Sequence, residues 1–484
     1  MKLFDILRGV EYEVVQGGDC EIKKLKIDSR LVCAGTLFFC IEGLHVDGHD
    51  FVEKAAEEGA NAVIVGKDLP SYPDGVTVVK VGNVRRAMSF AAANFLGRPA
   101  EGLTLAGVTG TNGKTSSVYF VESILRAWQS KHGIITTVDC RACDKPIEIS
   151  FATSTTPDSI ELHKILREMK DIGAEYVAME VTSHALALDK VEGMHYAVAG
   201  FTNLTQDHLD FHKDFEDYRD TKKRLYGQCA HAVTNIDDPY GAYMVEGHPC
   251  RVTTYSIDKP SDLQAVNVQL LDTGVSFDVR LGGELVHFSL PVRGRFTVYN
   301  ALNALGMSLA LGVPPDVAAQ GLAAVKGVPG RIQSVPSKHG FDVIVDYSHT
   351  PDSLENILTT VRETTSGKVV IIFGCGGDRD PIKRPIMGEI AARLADYVII
   401  TSDNPRTEDP AAIMAQIEPG AAKHSTPYEM EADRRAAIEK GIRMARPGDT
   451  VVIAGKGHED YQIFADRTVR FDDFEEAEKV LAAL

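Results

Sequence analysis

Residues 107–115, with the sequence GVTGTNGKT, constrain this chain more than any other segment. They follow an apolar run that predicts a buried strand, and they precede apolar residues at helical spacing, which predict a helix. A glycine-rich turn between strand and helix lets backbone N–H groups approach a phosphate, and the helix N-terminus adds unpaired donors. Lys114 would reach the β- and γ-phosphates, and Thr115 would hold Mg²⁺. Val108 replaces the first glycine of the strict phosphate-loop pattern, yet the context still predicts ATP or a similar nucleotide as a ligand.

The composition limits the kind of partner this chain binds. A formal net charge of −17 argues against nucleic acid or an anionic membrane surface as the main partner. The sequence has no apolar run of membrane-spanning length and no evident signal peptide, and its eight cysteines are scattered. We therefore predict a cytoplasmic protein with reduced thiols and small-molecule substrates, and we expect a monomer.

The length and the alternating strand and helix patterns predict an α/β protein of about three domains. Residues 1–98 form a small N-terminal α/β domain. Residues 99–329 form a central ATPase domain of the phosphate-loop type with a mostly parallel sheet, in which residues 250–295 alternate as antiparallel strands do. Residues 330–484 form a C-terminal Rossmann-like α/β domain. Proline and glycine interrupt the pattern at both boundaries.

Polar residues follow two predicted strands of the central domain. Glu180 ends the first strand, and the second is followed by TNLTQDHLDFH, which is rich in aspartate and histidine. Ligands of open parallel sheets bind at the carboxyl ends of strands, and such side chains suit Mg²⁺ bound with phosphates. A solvent-facing Glu180 is the simpler alternative. The next helix holds Lys222 and Lys223, which would also fit an ordinary solvated helix face.

Four polar clusters follow four predicted strands of the C-terminal domain. They are DYSHTP from residue 346, GCGGDR from 374, SDNPR from 402 and GKGHE from 455. Because the carboxyl ends of parallel strands meet at one edge of a sheet, we expect the clusters to line one crevice. The sequence lacks a helix-opening G-x-G-x-x-G motif, which argues against a dinucleotide ligand.

Nine segments, in their order and spacing, resemble the Mur ligase family over essentially the whole chain. They are GVTGTNGKT, MEVTSHAL, FTNLTQDHLDFH, YNALNAL, PGRIQ, DYSHTPDSL, FGCGGDRD, DNPRTEDP and AGKGHEDYQ. The closest resemblance is to members that add the third peptide residue of the peptidoglycan precursor. It implies an ADP-forming ligase that joins an amino acid to UDP-N-acetylmuramoyl-L-alanyl-D-glutamate. The γ-phosphoryl of ATP would pass to the substrate carboxylate, and the amine would then attack the acyl phosphate and release phosphate.

The resemblance also implies a catalytic and metal-binding group. Lys114 would contact the phosphates, Thr115 with Glu180 would hold one Mg²⁺, and His208 would hold a second. The pattern Tyr-x-x-x-Lys-x-x-Leu-Tyr identifies Lys222, not Lys223, as the family's carbamoylated lysine, whose carbamate is an anionic ligand for Mg²⁺. The residues implied to contact ATP are Gly110, Thr111, Asn112, Gly113, Lys114, Thr115, Ser116, Asn300, Asn303, Arg331, Asp346 and His349.

The nucleotide-sugar substrate is implied to lie between the N-terminal and central domains. Its implied contacts are Ser29, Leu44, His45, Val46, Ser154, Thr155, Thr156, Thr182 and Lys190. Related sequences usually have Asn at 154, often Ser at 182 and Arg at 190, and the changes keep hydrogen bonding or charge. Turn chemistry alone also explains Ser29 and the 44–46 turn.

The sequence Asp-Asn-Pro-Arg at 403–406 resembles the family members that add meso-2,6-diaminopimelate. Diaminopimelate has a second carboxylate that lysine lacks, and arginine can bind it bidentately. Lysine would leave a buried Arg406 unpaired, which favours its rejection. The residues implied to contact the amino acid are Arg379, Asp403, Asn404, Pro405, Arg406, Gly455 and Glu459.

Three other functions remain open at this point. The same reaction could use L-lysine. A ligase like folylpolyglutamate synthetase would share the fold and phosphate loop, although the Asp-Asn-Pro-Arg cluster argues against it. A nucleotide-gated binding protein without covalent chemistry would not need Glu180, His208 and Lys222 beside the phosphate loop.

Overall fold

The computed structural model describes residues 1–43, 46–148, 155–271 and 273–484, and three main sheets organise it. Leu44, His45 and Ser154, which we expect to contact the nucleotide sugar, lie outside the described residues. The architecture is the α/β fold with three units that the sequence predicts. The exact boundaries at residues 98 and 329 stay predictions. Within the described ranges, no helix is long and apolar enough to cross a membrane.

The N-terminal unit is built on a five-stranded sheet. Its elements are α1 (Leu3–Ile6), β1 (Tyr12–Gln16), β2 (Lys24–Lys26), β3 (Thr36–Phe39), α2 (Val52–Glu57), β4 (Ala60–Val65), β5 (Thr77–Val81) and α3 (Val84–Phe95). The strand order is β1-β5-β4-β3-β2, with β1 antiparallel to β5 and the other pairs parallel. Buried apolar side chains cover both faces of the sheet, so this unit has a core of its own.

The central unit is built on an eleven-stranded sheet. Its elements are β6 (Thr104–Thr109), α4 (Lys114–Ala127), β7 (His132–Ile135), β8 (Cys140–Ala142), β9 (Lys145–Pro146), α5 (Ser159–Ile172), β10 (Tyr176–Glu180), α6 (Ser183–Ala187), β11 (Val198–Phe201), α7 (Phe215–Lys223), β12 (His231–Asn235), α8 (Gly241–Val245), β13 (Arg251–Ser256), β14 (Leu263–Leu271), β15 (Gly274–Leu281), β16 (Glu284–Leu290), α9 (Arg295–Ala310) and α10 (Pro315–Ala323). The order is β16-β15-β14-β13-β12-β11-β6-β10-β7-β8-β9.

The middle of this sheet is parallel, and its neighbours set the position of the phosphate loop. Strands β10 and β11 flank β6, with Glu180 level with Val108 and Phe201 level with Thr109. The polar residues after these strands therefore meet at one edge. The prediction of antiparallel strands over residues 250–295 holds for β14, β15 and β16 but is wrong for β13, which runs parallel to both neighbours. Alternation reports burial of one face and carries no information on strand direction.

The C-terminal unit is a six-stranded sheet with a small two-stranded ribbon. Its elements are β17 (Gln333–Val335), β18 (Asp342–Asp346), α11 (Pro351–Thr364), β19 (Val369–Phe373), α12 (Lys383–Leu394), β20 (Tyr397–Thr401), α13 (Pro410–Ala421), β21 (Tyr428–Glu431), α14 (Arg434–Met444), β22 (Thr450–Ala454), β23 (Tyr461–Ile463), β24 (Thr468–Arg470) and α15 (Asp473–Ala482). The order is β17-β18-β22-β19-β20-β21, and β18, β22, β19, β20 and β21 are parallel. The four predicted polar clusters therefore leave the same edge of the sheet.

Candidate active site

The phosphate loop connects β6 to α4 and depends on two glycines. Gly113 has φ 84°, and a Cβ atom there would lie 2.2 Å from Asn300 Oδ1. A Cβ atom on Gly110, with φ 144°, would overlap the Thr202 hydroxyl. Helix α4 starts directly after Gly113, so its first N–H groups face the loop. Backbone donors and a helix N-terminus thus meet in a turn that has no room for a side chain at Gly110 or Gly113. A phosphate site requires such close access to the backbone.

Lys114 folds back over this loop. Its Nζ donates to the carbonyl oxygens of Gly110 at 3.0 Å and Thr111 at 2.7 Å. Burial lowers the pKa of Lys114, and the nearby Glu180 carboxylate opposes the shift. These carbonyls are the only acceptors of Nζ in the described part of the chain, so a phosphate entering the loop would meet an ammonium without a carboxylate partner.

Glu180 is buried at the end of β10, which excludes the solvent-facing alternative. Its Oε1 accepts from the Thr115 hydroxyl at 2.9 Å, the Thr137 N–H at 2.9 Å and the Thr137 hydroxyl at 3.3 Å. A carboxylate and a hydroxyl in contact beside a phosphate loop are suitable oxygen ligands for Mg²⁺. Sequence reasoning missed Thr137, although it follows β7, the strand next to β10.

Lys222 lies on α7 with 1% of its surface exposed. Its Nζ donates to the Gly110 carbonyl at 2.8 Å and lies 4.7 Å from the centre of the Tyr218 ring. No carboxylate lies within 4 Å of this nitrogen in the described residues. Burial, reinforced by the Lys114 cation, holds the pKa of Lys222 well below its usual value. The side chain is therefore not part of a solvated helix face, and burial disfavours its charged form.

His208 completes this group from the loop after β11. Its ring meets the edge of the His184 ring at 4.8 Å between centroids, and its Nε2 lies 3.4 Å from Asp207 Oδ2. Burial lowers the pKa of His208 to about 3, so the imidazole is neutral, the form that binds metal ions. His184 in turn stacks on Phe211. The described residues contain no group of three His, Cys, Asp or Glu side chains suited to a metal ion. Of the predicted metal ligands, only Glu180 and His208 belong to those residue types, whereas Thr115 and Lys222 do not.

The C-terminal unit contacts the phosphate loop at two points. Asn112 Nδ2 donates to Asp352 Oδ2 at 2.7 Å, and Arg331 donates to the Thr115 hydroxyl at 3.4 Å. The Arg331 guanidinium also lies 4.4 Å from the centre of the Tyr347 ring. The loop is therefore bounded by both units, which is typical of nucleotide sites that form between domains.

The remaining predicted ATP contacts divide into two groups. Asn300 borders Gly113, and Asp346 Oδ2 accepts from the N–H of Ile332, next to Arg331. Burial lowers the pKa of His349 to about 4. Asn303 differs, because it is fully buried against Gly200 in β11, where a Cβ atom would lie 2.2 Å from its Oδ1. Asn303 is thus buried against the sheet, and its contact with ATP stays a prediction.

The predicted nucleotide-sugar residues of the central unit form one connected group. Thr155 accepts from Thr137 at 3.0 Å, and Thr156 donates to the Glu180 carbonyl at 3.0 Å and lies 3.3 Å from the Thr182 hydroxyl. The Lys190 ammonium is 3.0 Å from Asp158. The group therefore leads directly to the Thr115–Glu180 pair.

Ser29 and Val46 lie on the N-terminal unit. Ser29 is buried in the turn after Asp28, and Val46 is exposed. Asn83, at the start of α3, donates to Asp189 at 2.8 Å and links this unit to the residue before Lys190. The N-terminal and central units thus meet beside Lys190.

The two arginines predicted to bind the amino acid flank Gly376, which follows β19. A Cβ atom on Gly376 would lie 2.9 Å from Arg406 NH1 and 3.7 Å from Arg379 Cγ. Arg406 donates to the Gly377 carbonyl at 2.8 Å, and Arg379 is exposed and donates to the Asp378 carbonyl at 2.8 Å. Across the described ranges, neither guanidinium has a carboxylate within 4 Å. Both are available to an anionic ligand.

A polar network that includes Asn404 lies next to Arg406. Glu459 accepts from Asn404 at 2.8 Å and from the fully buried Lys456 at 3.2 Å, and burial together with Asp403 raises the pKa of Glu459. Asp403 approaches Gly455, where a Cβ atom would lie 2.5 Å from its Oδ2. Asp403, Asn404 and the adjoining Pro405 are all buried.

A buried ion pair that the sequence did not reveal lies beneath this network. Arg434 and Asp473 have no exposed side-chain surface and are joined by two hydrogen bonds of 2.7 Å. Arg434 also donates to the carbonyls of Ala454 at 3.0 Å and Ser402 at 3.3 Å. It therefore joins the ends of β20 and β22.

Comparison with known proteins identifies the family of the chain. Three family models match: "Mur ligase family, catalytic domain" at residues 21–96, "Mur ligase middle domain" at 108–308 and "Mur ligase, glutamate ligase domain" at 330–457. Relatives from Clostridium tetani and Clostridioides difficile, each named UDP-N-acetylmuramoyl-L-alanyl-D-glutamate--2,6-diaminopimelate ligase, are 43% identical over 490 and 491 residues. Each match covers 100% of both chains.

Solved structures show the same fold. A structure titled as the same ligase is 30% identical, with a TM-score of 0.67, over 96% of this chain and 95% of that chain. MurF ligase from Thermotoga maritima in complex with ADP is 20% identical, with a TM-score of 0.64, over 95% and 98% of the two chains. Folylpolyglutamate synthase from Mycobacterium tuberculosis is 19% identical and covers 77% of this chain and 93% of its own, with a TM-score of 0.64. The phosphate loop, the buried carboxylate beside it and the full-length relatives lead to one conclusion: the chain belongs to the Mur ligase family.

Proposed function

We propose that this chain is an ATP-dependent ligase that adds meso-2,6-diaminopimelate to UDP-N-acetylmuramoyl-L-alanyl-D-glutamate. The observation that carries the proposal is the pair Arg379 and Arg406, which flank Gly376 without carboxylate partners in the described residues. Two cations beside a strand-end crevice suit an amino acid with a second carboxylate. The full-length relatives that carry this name support the same substrates. The product is a precursor for peptidoglycan synthesis, and so for cell-wall biogenesis, cell shape and cell division.

The reaction would proceed in two steps. The D-glutamate side-chain carboxylate attacks the γ-phosphorus of ATP, so an acyl phosphate forms and ADP leaves. The free amine of diaminopimelate then attacks the acyl carbon, so an amide forms, phosphate leaves and the nitrogen loses a proton. The protein positions both substrates and neutralises the charge of the transferring phosphoryl group. Lys114 would supply part of that neutralisation, because its Nζ has only carbonyl partners among the described residues.

The residues beside the loop fit two Mg²⁺ ions. Thr115 and Glu180 would hold one ion, because their oxygen atoms already meet beside the loop. His208 and a carbamate on Lys222 would hold the other, since the imidazole is neutral at physiological pH. Bound there, Mg²⁺ would screen the phosphate charge. The remaining predicted loop contacts are those of Gly110, Thr111, Asn112, Gly113 and Ser116.

The carbamate on Lys222 has its own physical support. The buried Nζ has a carbonyl acceptor and no carboxylate within 4 Å among the described residues, so its charged form is disfavoured. A neutral amine adds to CO₂ to give a carbamate and a proton. The product is an anion, which the nearby Lys114 cation and Mg²⁺ would stabilise.

Each unit would have one substrate. The N-terminal unit and the group around Lys190 would bind the UDP-sugar, the central unit ATP, and the C-terminal unit the amino acid. We propose the predicted divisions, 1–98, 99–329 and 330–484, for these roles. We also propose a monomer acting in the cytoplasm, where ATP and the nucleotide substrate are available. All eight cysteines are free thiols, as a reducing compartment would keep them.

Phosphate release tests the proposal. Purified protein with ATP, Mg²⁺ and UDP-N-acetylmuramoyl-L-alanyl-D-glutamate should release phosphate with meso-diaminopimelate and little with L-lysine. Equal rates with lysine would keep the ligase and remove the role of the arginine pair. Release with folate and glutamate instead would favour the folylpolyglutamate alternative. No release from folded protein that binds ATP would contradict the proposal.

A further inference from the structure

Arg384, at the start of α12, makes an ion pair with Glu408 of the DNPRTEDP segment, and the proposed chemistry gives neither residue a role. Its side chain is 1% exposed, and its two terminal nitrogens each donate to one oxygen of Glu408 at 2.8 Å. Such two-point pairing fixes the mutual orientation of both side chains, whereas a single contact leaves rotation free. Glu408 lies just before α13, so the pair joins two separate segments of the C-terminal unit.

The same pair also forms hydrogen bonds with the loop that carries Arg379. Arg384 donates to the Gly376 carbonyl at 3.2 Å, and Glu408 accepts from the Asp378 N–H at 2.5 Å. A second link lies alongside, because Thr407 donates its hydroxyl to the Asp378 carboxylate at 2.7 Å. The segments 376–379 and 403–408 are therefore joined by the Arg384–Glu408 pair and by Thr407, whose N–H and hydroxyl both donate to Asp378. A backbone bond adds to these links, because the Gly377 N–H donates to the Asn404 carbonyl at 2.9 Å.

These two segments carry the arginines of the amino-acid site. Arg406 lies two residues before Glu408, has the left-handed φ of 53° and donates to the Gly377 carbonyl at 2.8 Å. Arg379 directly follows Asp378. Any change in the distance between the segments would change the distance between the two guanidiniums. A fixed distance favours binding of an amino acid with a second carboxylate. If the two arginines were mobile, ordering them would cost part of the binding free energy.

We propose that the Arg384–Glu408 pair is a positioning device that sets the spacing of Arg379 and Arg406 for the distal carboxylate of the amino acid. The inference rests on the proposed function and deepens it. Arg384 and Glu408 would act through the arginines and would not touch the substrate. The Arg384 guanidinium, which outweighs the opposing effect of burial, holds the pKa of Glu408 below its usual range. The pair therefore stays ionised at neutral pH.

The test measures steady-state constants of the full-length Glu408→Gln variant for each substrate. Losing one charged, two-point contact should raise the KM for diaminopimelate by roughly tenfold or more. The kcat and the KM values for ATP and the UDP-sugar should stay within about twofold, because the phosphate loop lies in another unit. The preference for diaminopimelate over L-lysine should shrink, since lysine lacks the carboxylate that the spacing serves.

Two further variants keep the test decisive. Glu389→Gln is the matched control, because it removes an exposed ion pair of 2.6 Å with Lys423 that also lies between the α12 and α13 regions. This variant should leave all constants unchanged. Thr407→Val removes only the exposed hydroxyl link, so it should fold normally and raise the KM for diaminopimelate by about threefold. An unchanged KM for diaminopimelate in folded Glu408→Gln, or in Thr407→Val if the former does not fold, would overturn the inference. So would an equal rise for all three substrates. Wild-type protein that does not use diaminopimelate would instead contradict the proposed function.

Discussion

The hydroxyl of Thr115 donates to Glu180 Oε1 at 2.9 Å, and this bond joins the first turn of α4 to the end of β10. Two further donors from Thr137 complete the surroundings of the same oxygen. Among the described residues Glu180 has hydrogen-bond donors and no cation within 4 Å, so its negative charge is available for a metal ion. We therefore expect Mg²⁺-dependent turnover to require the negative charge of Glu180.

Glu180→Gln should abolish Mg²⁺-dependent turnover while leaving the fold intact. The amide keeps the size and one acceptor oxygen but removes the charge, so kcat should fall roughly 100-fold or more. Phosphate release at increasing Mg²⁺ concentration measures the effect. Thr137→Val is the matched control, because it removes a donor to Glu180 and keeps the carboxylate. Turnover close to wild type in Glu180→Gln would rule out this residue as a metal ligand.

Lys222→Ala should remove most activity, and a supply of small carboxylates should restore part of it. The substitution deletes the nitrogen on which the carbamate forms, and acetate could occupy the space and provide an anionic oxygen. We expect a loss of roughly 100-fold or more without acetate. The neighbouring Lys223→Ala, on the same helix, is the control and should be near wild type. A ¹³CO₂-labelled sample should give a carbamate NMR signal in the wild type and none in Lys222→Ala.

Arg406→Lys should reduce the selectivity for diaminopimelate over L-lysine more than it reduces kcat. Lysine keeps the charge but cannot bind a carboxylate at two points, so the KM for diaminopimelate should rise roughly 30-fold. Competition between diaminopimelate and L-lysine, read by mass of the product, measures the change. Arg393→Lys, at an exposed pair with Glu355 in the same unit, is the control. Unaltered competition would show that the distal carboxylate is recognised elsewhere.

Gly113→Ala should prevent nucleotide binding. The backbone has φ 84°, and the added methyl group would lie 2.2 Å from Asn300 Oδ1, so the loop must move. The affinity for ATP should fall by about tenfold or more, as titration calorimetry would measure. Gly75→Ala has a similar φ of 78° with open space around it and should leave ATP binding unchanged. Wild-type affinity in Gly113→Ala would contradict this account of the loop.

His163 should make the protein sensitive to mild acid. Its ring is buried and unpaired in the part of the chain that the structure describes, and burial lowers its pKa to about 4. The unfolded chain, with a histidine pKa near 6.5, binds the proton more readily, so stability is full above about pH 6.5 and falls toward pH 4. The loss should reach about 2 kcal/mol at pH 5.

The comparison of His163→Phe with wild type measures this effect. The variant has no titrating group at this position, so its urea midpoint should shift less between pH 7.5 and pH 5. His287→Phe, at an exposed ion pair with Asp278, is the control. An equal acid shift in wild type and His163→Phe would disprove the prediction.

Local sequence determined much of the fold because strong signals coincided. The runs before the clusters of the C-terminal unit are almost wholly apolar, which is typical of parallel strands buried on both faces, and three of them form β19, β20 and β22. The glycine-rich loop and Glu180 also lie at the predicted strand ends. Each of these signals lies within a few consecutive residues.

The missed features depend on contacts between distant segments. Arg434 meets Asp473 across 39 positions, and Arg384 meets Glu408 across 24. No local pattern distinguishes such arginines from solvated ones on a helix. Strand direction in β13 likewise depends on its neighbours, which alternation does not reveal.

The Arg434–Asp473 pair sets an order of events during synthesis. Arg434 leaves the ribosome before Asp473, which starts α15. Until then its guanidinium, which joins the ends of β20 and β22, would have no counterion in the interior, and an unpaired buried charge is strongly unfavourable. The ATP-binding unit lies earlier in the chain and needs no such partner. A nascent chain would therefore complete the phosphate loop of its central unit before its amino-acid site could take shape.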